Sequence, residues 1–188
     1  MRAAPFILLA AIPLIGCSMT AVPVQTASIN AVQAISAAHL PPMWTGSFRQ
    51  ASNLPPQHDR GLSVRAATIR PEGGSFAGYL GETLKAQLRT AGRLDVTSNI
   101  IISGEIVRSE IGSGIGENAG HGLLAAEFTV TRGTIQNFRK VITVEARWNS
   151  SFIGGVAIPA AERNYMALYP ALVTRLFSDP DFLSAFNG

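Results

Sequence analysis

The sequence predicts an α+β fold: a two-layer sandwich in the order β-α-β-β-β-α, with one mostly antiparallel sheet and two main helices on one of its faces. Three observations carry this expectation. Phe76, Leu80, Leu84 and Leu88 recur every four residues and lay one apolar stripe along a helix. Between Ala126 and Trp148, apolar and polar residues alternate in two runs, as antiparallel strands with one buried face require. In the last third the spacing turns helical again, with Leu168, Leu172, Val173 and Leu176 on a second stripe.

Each element has its own local signal. Leu62, Val64 and Ala66 alternate with Ser63, Arg65 and Ala67, which reads as a first strand. Pro71-Glu72-Gly73-Gly74 makes a turn, Ser75 can cap the helix that follows, and Gly92 can supply its left-handed stop. Ile100-Ile101-Ile102 opens a strand that runs to Ile111. Ala126, Phe128 and Val130 face inward from the next strand, and Phe138, Lys140, Ile142, Val144, Ala146 and Trp148 from the last, with Gly133 and Gln136-Asn137 turning between them. Ser151 to Ile158 reads as a small-residue connection, and Pro159 suits a first helical position. Pro170 should kink or split the helix it interrupts. Asp179 caps a restart at Pro180, with Phe182 and Phe186 one turn apart.

The N-terminal part reads differently. Residues 18 to 57 carry Pro23, Pro41, Pro42, Pro55 and Pro56, many small residues and almost no charge besides Arg49, the composition of a tether. Within it, Ile29 to Leu40 can form a short helix on Ile29, Val32 and Ile35, ending before Pro41-Pro42. Trp44 and Phe48 either pack back onto the domain or belong to a partner-binding segment. Before the tether, Arg2 precedes an apolar run from Phe6 to Ile15, and the run ends in Leu14-Ile15-Gly16-Cys17. That is a secretory layout, too short for a membrane span. With Cys17 the chain's one cysteine, it resembles the bacterial lipoprotein signal, which implies cleavage before Cys17 and a diacylglycerol on its thiol. Three regions are therefore expected: a signal at 1–16, a lipidated Cys17 with its tether at 17–57, and a periplasmic domain at 58–188. Ser18 stands where an Asp retains such proteins in the inner membrane, so the resemblance implies the outer membrane.

Composition excludes several classes. The net charge is +3 with only 14% charged residues, and the densest basic cluster is Arg139-Lys140, so no nucleic-acid face is expected. One cysteine allows no internal disulfide. Low charge suits a chain that lies against a partner or a membrane. Gly112-x-Gly114-x-Gly116, running on to Gly120-His121-Gly122, follows a strand but precedes another strand. A pyrophosphate would lack its helix N-terminus, and the stretch reads as a long hairpin loop. His39, His58 and His121 are scattered, so neither a metal site nor a cofactor is expected. Ser150-Ser151 lacks the G-x-S-x-G frame, His58-Asp59 reads as a strand cap, and Asp179 with Asp181 is explained by helix capping. The chain reads as a non-enzyme.

Two places remain for binding. The first is the glycine loop, with Gly112, Gly114, Gly116 and His121. The second is the corner after the last strand: Trp148 reads as core, its indole N–H finding a partner near the sheet end, while Phe152 and Ile153 beside Gly154-Gly155 can form an exposed apolar patch.

With this order of elements the chain resembles the YajG-like family of small bacterial lipoproteins, over roughly Leu62 to Phe186. The likeness runs through 76–92, 100–106, 138–148 and 179–183, and extends more distantly to LptE-like α+β lipoproteins. The longer proline-rich tether and the glycine-rich loop depart from that pattern. The resemblance implies an outer-membrane lipoprotein facing the periplasm, a non-catalytic binding or assembly factor. Its expected partners are the membrane through Cys17, and an envelope protein or a lipid. Two other readings stand beside it: an auxiliary lipoprotein of a lipid or solvent transporter, and an enzyme acting on envelope glycans or lipids.

Overall fold

The structure, a computed structural model, describes residues 26–112 and 119–186. Its centre is a four-stranded sheet in the order β1-β4-β5-β6, built from β1 (Trp44–Gln50), β4 (Ile100–Gly112), β5 (Ala119–Arg132) and β6 (Ile135–Asn149). β1 runs parallel to β4, and the other neighbours are antiparallel. One face is covered by α2 (Phe76–Thr90), α3 (Gly154–Met166) and α4 (Leu168–Phe177). The expected α+β sandwich is thus present, with one layer of sheet and one of helices.

The first strand of that sheet comes from the stretch expected to be a tether. α1 (Ile29–Ala37) buries Ala31 and Ile35 against α4 and α2, and β1 pairs with β4. Among the described residues, folded structure is therefore already present from Ile29, well before residue 58. The prolines that suggested a linker sit at joints: Pro41-Pro42 between α1 and β1, and Pro55-Pro56 at a 3-10 turn. β1 was hard to read because it lacks alternation. Its one large inward side chain, Phe48, lies where both facing elements have a glycine. A Cβ would come within 2.9 Å of the ring at Gly81 of α2 and 2.6 Å at Gly104 of β4. Phe48 fills the space those two positions leave and so packs back onto the domain, while half-buried Trp44 lies with its ring 5.5 Å from the Lys85 ammonium of α2. The expected signal and Cys17 lie outside the described residues.

The strand expected at 62–67 is instead a separate hairpin, β2 (Leu62–Val64) with β3 (Ala67–Ile69). Its turn falls at Arg65-Ala66, and Arg65 sits at φ +53. No glycine or asparagine marks the turn. Arg65 is held there by its guanidinium, which donates to the carbonyls of Ser151 and Phe152 at 2.7 and 3.0 Å.

The central helix forms as its stripe requires. Phe76, Leu80, Leu84 and Leu88 are all buried, and the Ser75 hydroxyl accepts from the Gly78 N–H at 2.9 Å. Gly92 ends the turn at φ +66. β4 holds a feature the alternation hides: its register shifts between Ile106 and Arg108. Unshifted, Arg108 and Glu110 would follow Ile102 and Ile106 into the core. The extra residue turns them outward, where they pair at 2.6 Å, and sends Ser109 inward to Tyr165.

Two boundaries in the last third move. Helix α3 begins at Gly154, so Pro159 lies inside its first turns and not at its start, and the expected 151–158 connection shrinks. Small residues at Gly154-Gly155 gave no sign of a helix. Pro170 does split the run: α3 ends at Met166, and α4 begins at Leu168. Asp179 caps α5 (Pro180–Ser184), accepting from the N–H groups of Asp181 and Phe182.

Candidate functional site

The two regions expected to bind meet at one end of the sheet. Across β4 and β5, Gly112 lies opposite His121; across β5 and β6, Gly120 lies opposite Trp148 and Ala119 opposite Asn149. Of the expected loop, Gly112 and Ala119 to Gly122 are strand, because the β4–β5 ladder runs to Gly112 opposite His121 and the β5–β6 ladder to Ala119 opposite Asn149. Gly114 and Gly116 fall outside the described residues. His121 is therefore a strand residue, exposed on the sheet face away from the helices. Gly112 opposite it leaves room for the imidazole, which a Cβ there would meet.

Trp148 is buried as expected, and its indole lies over Gly120 and Gly122. The indole N–H, expected to find an acceptor, has none among the described residues. A side chain at Gly120 would overlap the indole. Gly120→Ala is therefore expected to cost about 1–3 kcal/mol, seen as a lower urea midpoint together with a shifted tryptophan emission.

Beyond Trp148 the chain leaves the sheet and exposes three apolar side chains within five residues. Phe152 is 90% exposed, Ile153 65% and Val156 57%. Phe152 and Ile153 were legible in the sequence. Val156 was missed because it sits on the first turn of a helix that the glycines concealed. Arg65 was also missed: it comes from a distant hairpin and fixes the backbone beneath Phe152. The corner is thus a held surface.

On the outward sheet face beside it, Glu110, His121, Leu123, Glu145 and Arg147 line a shallow depression of about 280 Å³. The Arg108 guanidinium holds the Glu110 carboxyl below its ordinary range, first by hydrogen bonding, with His121 adding a smaller pull. No group of His, Cys, Asp or Glu able to hold a metal is found among the described residues. Ser109, the hydroxyl nearest this depression along β4, points through to the other face and shares a 2.6 Å hydrogen bond with Tyr165. The arrangement offers an apolar corner next to a mixed-charge face, which is chemistry for recognition.

Comparison with known proteins bears on the fold. XCC0632 from Xanthomonas campestris, of the family DUF330, matches with a TM-score of 0.51 at 12% identity, over 74% of this chain and 88% of that one. A candidate lipoprotein from Caulobacter crescentus matches with a TM-score of 0.44 at 12% identity, over 82% and 93%. CT253 from Chlamydia trachomatis matches with a TM-score of 0.39 at 7% identity, over 72% and 96%. No family model and no curated protein sequence matches the chain. At these identities the likeness carries no residue roles, and the chain shares its α+β fold with XCC0632.

Proposed function

We propose that this chain is a non-catalytic binding protein of the bacterial envelope, a lipoprotein of YajG-like type. Its lipid sits on Cys17 in the outer membrane, and its α+β domain faces the periplasm and engages an envelope-assembly protein. The anchor rests on the residues from Arg2 to Ser18. The binding role rests on one observation: Phe152, Ile153 and Val156 stand exposed together on a corner whose backbone Arg65 holds in place. Scattered exposed apolar residues need no explanation, whereas a contiguous group on a firm support is what interface anchors look like.

The test is a crosslinked pull-down from native membranes with the wild type, Phe152→Ser/Ile153→Ser and Cys17→Ala. The corner variant is expected to lose the enriched partner while its stability stays within about 0.5 kcal/mol of wild type. Cys17→Ala is expected to leave the membrane fraction. A partner profile unchanged in the corner variant sinks the role of the corner. Sedimentation of the wild type with inner membranes would move the reading to a transporter auxiliary.

A further inference from the structure

The sheet ends at β6, and nothing among the described residues pairs with its outer edge. An edge of 15 residues is long. Proteins commonly protect such edges by shortening them, bending them or placing charges along them. β6 does carry charges, and their order along the strand holds more information than their presence.

Odd-numbered residues of β6 face the open side of the sheet: Arg139, Val141, Thr143, Glu145 and Arg147 are all exposed there. An ion-pair ladder crosses that face to reach them. Arg49 on β1 pairs with Glu105 on β4, and Arg139 on β6 pairs with Glu127 on β5 at 2.8 Å. Glu105 and Glu127 lie directly opposite each other between the two arginines. At the edge the ladder stops on Arg139, and Glu145 has no ion pair among the described residues.

We infer that β6 is the self-association edge of this protein, joining a second copy antiparallel about a two-fold axis at Ile142. In that register Arg139 stands opposite the partner's Glu145, and Glu145 opposite the partner's Arg139. The ladder continues from one sheet into the next through both contacts. Val141, 46% exposed, lies opposite the partner's Thr143, a β-branched pair of the kind that stabilises adjoining strands. Lys140 does not interfere, since its ammonium is turned to Asp179 and Asp181 on the helix side. The paired stretch Phe138–Ala146 begins opposite Val130, just past the register irregularity that lies between Gln136 and Phe138. The neighbouring registers fit worse: centring on Thr143 sets Arg139 against the partner's Arg147, and centring on Val141 leaves Glu145 facing the partner's Asn137. A slip of one residue is barred because it would oppose inward with outward side chains.

Neither the apolar corner nor the lipid anchor takes part in this contact, and a charge exchange tests it. Full-length chain in detergent is followed by sedimentation over a range of concentrations, as wild type, Arg139→Glu and Glu145→Arg. Each reversal sets like charges against each other twice per dimer and is expected to raise the dimer dissociation constant about tenfold or more. Mixing the two variants sets a carboxylate against a guanidinium at both contacts again, and is expected to restore association as a heterodimer. Thermal unfolding of each variant alone separates lost pairing from lost fold. Arg139→Gln, which removes the attraction without opposing Glu127, is expected to weaken association less than Arg139→Glu. A wild type that stays monomeric at every concentration overturns the inference, as does a mixture that associates no better than its components.

Discussion

Phe76→Ala is expected to lower the stability of the chain by about 3–5 kcal/mol. Phe76 opens α2, is 1% exposed and lies against two tyrosines of the following helices. Its ring stacks on Tyr169 at 6.2 Å and meets Tyr165 edge-on at 5.5 Å, while Tyr79 meets Tyr169 edge-on from the other side at 4.9 Å. Truncation removes the transfer energy of a phenyl ring and leaves a cavity. How much of the cavity closes decides the cost, and here little can close. Tyr165 is tied by its hydroxyl to Ser109 of β4 at 2.6 Å and lies 3.3 Å from the Tyr169 hydroxyl. Burial pushes both phenols up, Tyr169 well above its ordinary value, so they stay protonated and their hydroxyl chain persists across the working pH range. Urea unfolding should show a lower midpoint with an unchanged slope. A loss under about 1 kcal/mol would mean that the three helices repack freely around the gap.

The parts of this fold that were legible in the sequence are those where one physical signal acts alone. α2 has a single apolar stripe, a serine cap and a glycine stop, and all three agree. β5 and β6 alternate because the helices cover one face and the other is open. The parts that were not legible are places where packing partners supply what the local sequence lacks. β1 carries one inward aromatic, and its reason for being a strand is the glycine at position 104 on its neighbour. The Arg65 turn has no turn residue, and its support comes from carbonyls far along the chain at Ser151 and Phe152. The register shift in β4 cannot be seen in a period-two pattern, yet it decides that Arg108 and Glu110 lie outside and Ser109 inside. The candidate site was legible to the same degree. Exposure of Phe152 and Ile153 followed from their position after the last strand, beside glycines. That the Gly112 and Gly120 stretch ends up beside them required knowing how far the β4–β5 ladder runs.

Asp179→Ala is expected to cost about 2–4 kcal/mol, and to do so through two elements at once. Asp179 is 7% exposed. One of its oxygens accepts the N–H groups of Asp181 and Phe182, which starts α5, and both oxygens accept from the Lys140 ammonium of β6 at 3.0 and 2.8 Å. The carboxylate therefore fixes α5 to the sheet, and Phe182 then packs edge-on against Phe138, Phe177 and Phe186. Asp179→Asn keeps an acceptor for the cap but loses the charge, so its cost should be the smaller of the two. It should also change the acid limb. Burial pushes the Asp179 carboxyl up, but Lys140 and the two helix N–H groups together pull it further down, leaving it below its ordinary value of 3.8. A carboxyl held low in the folded chain adds stability above its unfolded pKa, and that stability drains away as pH falls through the folded pKa. Wild type should therefore lose stability faster than Asp179→Asn below about pH 4, and the two curves should run parallel above it. Equal acid slopes would show that the cap geometry, and not the charge shared with Lys140, holds α5 against the sheet.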